Sequence, residues 1–165
     1  MIQLTHAAID PAALLESVSD NQAGAVLLFL GTVREFTAGE QTSHLNYTAY
    51  ESMAQSSLLQ LEQEAAEQYD IVRIGIVHRL GELSLGEVSV AIAVSSAHRA
   101  TAYECSRWLI DTLKQRIPIW KQEHYTDGRV EWQHPGMDPN AVAGSLPGLN
   151  QAADALRSNL PKEQA

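Results

Sequence analysis

Five of the eleven lysines and arginines in this 165-residue chain fall between Ser95 and Glu123: Arg99, Arg107, Lys114, Arg116 and Lys121. The chain carries a formal net charge of −9, so a local cationic cluster calls for an anion. At one end stand Ser95, Ser96, Ala97, His98 and Arg99, which open a predicted helix. A helix N-terminus offers unpaired N–H groups and partial positive charge. With hydroxyls, an imidazole and a guanidinium added, it suits a phosphate or a carboxylate. The plainer reading makes Ser96 a helix cap and His98–Arg99 a solvated first turn. At the other end Lys114 lies in the last turn, near Arg116 and Lys121, where it could do acid–base work or hold an anionic intermediate. Its plainer reading is a complement to the helix dipole, with Asp111 one turn earlier as ion partner. Lys121 follows Ile119 and Trp120 on the next strand, where alternation puts Ile119 and Lys121 on one face and Trp120 on the other. Arg34 ends an apolar strand beside Gly31 and opens a polar loop, a common place for function.

The elements that must position these residues follow from pattern. Ile2–Thr5 reads as a short edge strand. Asp10 and Pro11 start a helix to about Val18, with Asp as cap and Pro in the first turn. Gly24–Leu30 is a continuous apolar run and reads as a strand buried on both faces. Residues 35–42 are polar, contain Gly39 and read as a mobile loop. His44–Tyr50 alternates, with Leu45, Tyr47 and Ala49 on one side. Met53–Tyr69 repeats Ala54, Leu58, Leu61 and Ala65 at helical spacing. Strands are expected over Ile71–Leu80 and Val88–Ser95, with turns at Gly81 and Gly86. The long helix runs over Ala97–Arg116 with Ala102, Cys105, Leu109 and Leu113 as its buried stripe, and Pro118 ends it. Ile119–Tyr125 and Arg129–Trp132 form a hairpin around Thr126, Asp127 and Gly128. This mixture of helices and hairpin-connected strands predicts an α+β domain with a mixed or antiparallel sheet. The domain is expected over residues 1–134. A peripheral tail over 135–165 is rich in Pro and Gly and carries a short helix at Gln151–Asn159.

Composition narrows the function. The acidic balance argues against nucleic acid and against anionic membrane surfaces. No run reaches the ~18 apolar residues of a membrane span, and the N-terminus lacks the pattern of a signal peptide. Cys105 is the single cysteine, which fits a reducing cytoplasm and, on the apolar stripe, a core position. The six histidines show no metal-ligand spacing, and neither a phosphate-binding nor a dinucleotide glycine loop is present. Trp108 and Trp120 read as packing or subunit-contact residues.

Geometry sets a further condition. His98 and Lys114 are sixteen residues apart, which is ~24 Å along one helix. Either one end alone is functional, or a two-fold dimer brings His98 and Arg99 of one subunit to Lys114 and Lys121 of the other.

Five segments, in order, carry a family likeness: Gly24 to Arg34 (Gly-Ala-Val-Leu-Leu-Phe-Leu-Gly-Thr-Val-Arg), Tyr47 to Met53, His78 to Glu82 (His-Arg-Leu-Gly-Glu), Ser95 to Arg99, and Asp111 through Glu123. Together the chain resembles the large, catalytic subunit of molybdopterin synthase from about Gly24 to Trp132. The resemblance implies an α/β-hammerhead fold and a cytoplasmic heterotetramer. Two large subunits would form a central dimer, each with a small ubiquitin-like sulfur carrier. The implied activity transfers two sulfurs from the carrier's C-terminal thiocarboxylate to cyclic pyranopterin monophosphate. That forms the molybdopterin dithiolene of molybdenum cofactor biosynthesis, with no cofactor or metal on this chain. By motif, Lys114 and Lys121 would be catalytic and would touch substrate. Thr32, Val33, Arg34, His98, Arg99, Gln122 and Glu123 would bind substrate, and Phe29 and Ile110 would line the pocket. Ile110 stands where some relatives have methionine, and Arg129 is the candidate replacement for a family arginine near Gln133. Two rival readings are a metal-free phosphodiesterase, with His98 as base and Lys114 or Arg99 as clamp, and a non-catalytic anion-binding dimer.

Overall fold

The computed structural model describes residues 1–37 and 39–133. The expected tail with its short helix, and His134, lie outside the described residues. The chain order is β1 (Ile2–Thr5), α1 (Pro11–Val18), β2 (Ala25–Thr32), β3 (Phe36–Thr37), β4 (Glu40–Ala49), α2 (Glu51–Gln68), β5 (Arg73–Arg79), β6 (Gly81–Ser84), β7 (Val88–Ser96), α3 (Arg99–Arg116), β8 (Ile119–Tyr125) and β9 (Val130–Gln133). One sheet has the strand order β1-β5-β7-β2, and a second runs β3-β4-β8-β9 with β6 added to β4. In the first sheet β1 pairs parallel to β5, while β5–β7 and β2–β7 are antiparallel. This is the expected α+β arrangement.

Apolar periodicity builds the main core. Ala54, Leu58, Leu61 and Ala65 of α2, with Ala102, Cys105, Leu109 and Leu113 of α3, are all buried. They join Ile74, Ile76, Val90, Ile92 and Val94 from the first sheet in one cluster. On the sheet's other face α1 contributes Leu14 and Val18 against Val77, Ala91 and Ala93. Asp10 caps α1 by accepting from the N–H groups of Ala12 and Ala13 at 2.9 and 3.1 Å. That leaves two fewer orphan donors at the helix start.

Three expectations need correction. Strand β2 is not buried on both faces. It is an edge strand, and the eight-residue α1 is too short to cover it, so Val26 and Leu30 remain 44% and 38% exposed. The polar stretch 35–42 is structured in part. Its β3–β4 hairpin pairs Phe36 with Gln41 and Thr37 with Glu40, and Gly39 takes a φ of +89° that suits glycine. Ser96 is not the cap of α3. It ends β7 and donates to Asp70 O at 2.9 Å, while His98 occupies the cap position without a side-chain capping bond.

Candidate active site

The end of the first sheet, the last two turns of α3 and one face of the second sheet enclose a cleft of about 270 Å³. Cross-strand pairing lays its floor. Gly31 pairs with Val90, and Val90 with His78, in one row across β2, β7 and β5. Gly31 is needed there because a Cβ would sit 2.7 Å from Val90 Cγ1. The α3 wall is Ile110, Leu113 and Lys114, followed by Ile117. The opposite wall comes from strand alternation: Leu45 and Tyr47 on β4 face the cleft together with their pairing partners Glu123 and Lys121 on β8. Phe29, Thr32, Arg34 and Thr37 complete the lining from the β2–β3 side.

Most of the residues expected at the site meet here: Phe29, Thr32, Arg34, Ile110, Lys114, Lys121 and Glu123. Four do not. Val33 is 3% exposed and packs with Leu45 and Leu83. Its N–H donates to Glu87 O and its carbonyl accepts from Gly86 N, so it anchors Arg34 and leaves nothing for a ligand. Gln122 lies on the far face of β8, where its Oε1 is 3.1 Å from His124 Nε2. His98 and Arg99 are exposed at the opposite end of α3. The helix is unbroken over its 18 residues, so the ~24 Å separation holds within one chain. A phosphodiesterase site joining His98 to Lys114 is therefore not formed inside one chain.

The charges at the rim are not equivalent. Lys121 Nζ lies 3.1 Å from Glu123 Oε2, as an ion pair without aligned hydrogen-bond geometry, and the two side chains are only 18% and 2% exposed. Thr42 Oγ1 donates to the other carboxylate oxygen at 2.5 Å. Burial pushes the Glu123 carboxyl up, but the Thr42 hydroxyl and the Lys121 ammonium outweigh it and hold the group below the usual glutamate range. Glu123 thus sits buried in the cleft wall, where it positions Lys121. Lys114 has no ion pair among the described residues. Its expected partner Asp111 lies 3.7 Å from Arg107 instead. Arg116 turns away to meet Glu64 with two bonds of 2.6 and 2.8 Å. Arg34 donates through Nε to Thr37 Oγ1 at 3.3 Å. Arg129 is committed elsewhere, held by Asp127 and Glu40 at 2.7 Å each and stacked 4.8 Å over Tyr125. Cys105 is fully buried and its thiol is pushed up to about 12, as a core position requires.

Tyr47 and His78 are among the lining residues that the sequence reading did not count as site residues. Tyr47 is visible as an inward position of an alternating strand, and burial pushes its phenol up. His78 is 5% exposed in the floor, and burial lowers its imidazole to about 4. The unfolded chain takes up a proton near pH 6.5 that the folded chain refuses until about pH 4. Stability from this group is complete above the unfolded value and falls as pH drops through that window, by about 3 kcal/mol at its foot. A melting series from pH 7 to pH 4 should show this slope in the parent chain. His78→Phe should flatten it, and an unchanged slope would contradict the assignment.

Fold and cleft together define a two-sheet α+β protein whose cleft gathers lysine and arginine side chains, a charge suited to an anionic small molecule. The MoaE protein family model matches residues 4–116. A molybdopterin synthase catalytic subunit of Halalkalibacterium halodurans is 46% identical over 84% of this chain and 88% of its own length. One of Bacillus subtilis is 39% identical over 90% and 94%. The crystal structure of molybdopterin synthase from Staphylococcus aureus superposes with a TM-score of 0.76 at 38% identity, over 80% of this chain and 96% of that one. The chain belongs to the MoaE family, that of the catalytic subunits of molybdopterin synthase. Its place is in molybdenum cofactor biosynthesis.

Proposed function

We propose that the chain transfers two sulfurs, one after the other, from a thiocarboxylated carrier protein to cyclic pyranopterin monophosphate, forming the molybdopterin dithiolene. The observation that carries this reading is the convergence of Arg34, Lys114 and Lys121 on one cleft of an acidic chain, with Lys114 free of any ion pair among the described residues. Both reactants are anions. The pterin brings a cyclic phosphate and the carrier a thiocarboxylate, so positive charge must serve both. Lys114 is the catalytic cation that stabilises negative charge as sulfur moves. Lys121, held by Glu123, is the second. Arg34 and Thr32 bind substrate, and Phe29 and Ile110 shape the apolar wall. The chain needs no cofactor or metal of its own for this chemistry. The partner is a small ubiquitin-like sulfur carrier, and the setting is the cytoplasm.

His98 and Arg99 enter through a second copy of the chain. In a two-fold dimer they would hold the pterin phosphate at the partner's cleft, and two such sites would form. Mixing His98→Ala chains with Lys114→Ala chains tests this directly. One intact site per mixed dimer should restore activity to a substantial fraction of the parent in a reaction supplied with carrier and pyranopterin. Activity no higher than that of either single variant would refute the shared site. Turnover of a cyclic phosphodiester without any sulfur donor would instead favour hydrolysis.

A further inference from the structure

The cleft floor contains one polar atom that neither the charged rim nor the fold employs. His78 Nδ1 lies 2.9 Å from the carbonyl oxygen of Arg79. A carbonyl only accepts, so the proton sits on Nδ1 and Nε2 carries the lone pair. Nε2 has no hydrogen-bond partner among the described residues. Nor is it among the unpartnered side-chain atoms sealed from solvent, which among the described residues are Arg79 Nε and Glu123 Oε2. With the residue only 5% exposed and lining the cleft, this atom opens into the cleft. Its neighbours along the row, Val90 and Gly31, are apolar, with Phe29 beyond and the Tyr47 ring edge-on at 5.2 Å, and the Ser89 hydroxyl that also lines the cleft is spent on Gly31 O at 3.1 Å. A lone acceptor in such a place is costly to dehydrate unless the ligand supplies a donor.

We propose that His78 Nε2 accepts a hydrogen bond from an N–H on the heterocycle of the ligand, and so selects for a ring that carries a donor edge. The anion stays at the rim with Arg34, Lys114 and Lys121, while the ring reaches the floor. This rests on the pyranopterin reading, since a pterin ring bears such N–H groups, and it adds a binding residue to that reading. Burial keeps the imidazole neutral down to about 4, so the acceptor is available throughout the usual assay range.

The test compares His78→Phe, which keeps ring volume but removes the acceptor, with His78→Gln, whose amide oxygen can take the place of Nε2. Binding of cyclic pyranopterin monophosphate to the full chain is measured by equilibrium dialysis, alongside KM and kcat with a thiocarboxylated carrier. His78→Phe should weaken binding and raise KM by about 10- to 100-fold with kcat little changed. His78→Gln should stay within about threefold of the parent. A purely structural role would lower the melting temperature of both variants and would not divide them in this way. Nitrogen-15 spectra of the unsubstituted chain give a second readout that needs no variant: the Nε2 resonance should move when the pterin is added. Parent binding with a stationary Nε2 signal, or equal affinity in His78→Phe, overturns the proposal while leaving the pyranopterin reading intact. No binding of the pterin to the parent chain overturns both.

Discussion

Lys114→Ala should reduce dithiolene formation by about 10²- to 10³-fold, the usual loss when one preorganised charge-stabilising group is removed. It should leave the fold alone. The side chain is exposed at the end of α3 and has no ion pair to break among the described residues, so stability should stay within about 0.5 kcal/mol. The size of the effect follows from how its neighbours are paired. Asp111 is turned to Arg107 and Arg116 is clamped by Glu64. Lys121 is matched by Glu123. Lys114 alone on that helix end keeps its charge for whatever enters the cleft. Single-turnover reconstitution with a thiocarboxylated carrier and cyclic pyranopterin monophosphate measures it. Full product from Lys114→Ala would remove the basis of the catalytic assignment.

Glu123→Gln should act on stability and activity together. The carboxylate is 1% exposed and balances a Lys121 side chain that is itself mostly buried. Removing one partner of a buried pair strands the other charge, at a cost of about 3 kcal/mol. That is the lower end of the usual range, because Lys121 still reaches water through the cleft. The pH dependence has a definite sign. Glu123 titrates below the usual glutamate value when folded, so its contribution is whole above the unfolded value near ~4.3 and is lost as pH falls through the folded one. The gap in melting temperature between parent and Glu123→Gln should therefore be constant from pH 6 to pH 8 and close in more acidic solution. A gap that persisted unchanged in acid would show that packing, and not charge, holds the pair.

Much of this cleft is legible in the sequence. The helical stripes of α2 and α3 were readable because four-residue spacing of apolar side chains has few other causes. The length of α3 gave the separation of His98 from Lys114 by arithmetic alone. Alternation on β8 correctly placed Lys121 and Ile119 on one face, which is also the face of Glu123. What was not legible depended on partners distant in sequence. Thr42 and Glu123 are 81 positions apart, and no local pattern signals that their side chains meet. Glu64 claims Arg116 from another helix, 52 positions away, a pairing that no local pattern signals. The apolar run of β2 looked doubly buried because composition cannot report that a strand stands at a sheet edge. His78, a single histidine in an apolar strand, reads as core until the cross-strand row shows that the cleft opens at its ring.

Gly31 gives the cleft a property that no charged residue supplies: its depth is set by an absence. A single added methyl there would press on Val90 and lie 3.6 Å from the Phe29 ring, two groups that shape the same cavity. Stiff, close-packed surroundings do not absorb such an insertion without moving. The room at the bottom of the cleft is thus limited at one position that carries no side chain, separately from the cations at its rim.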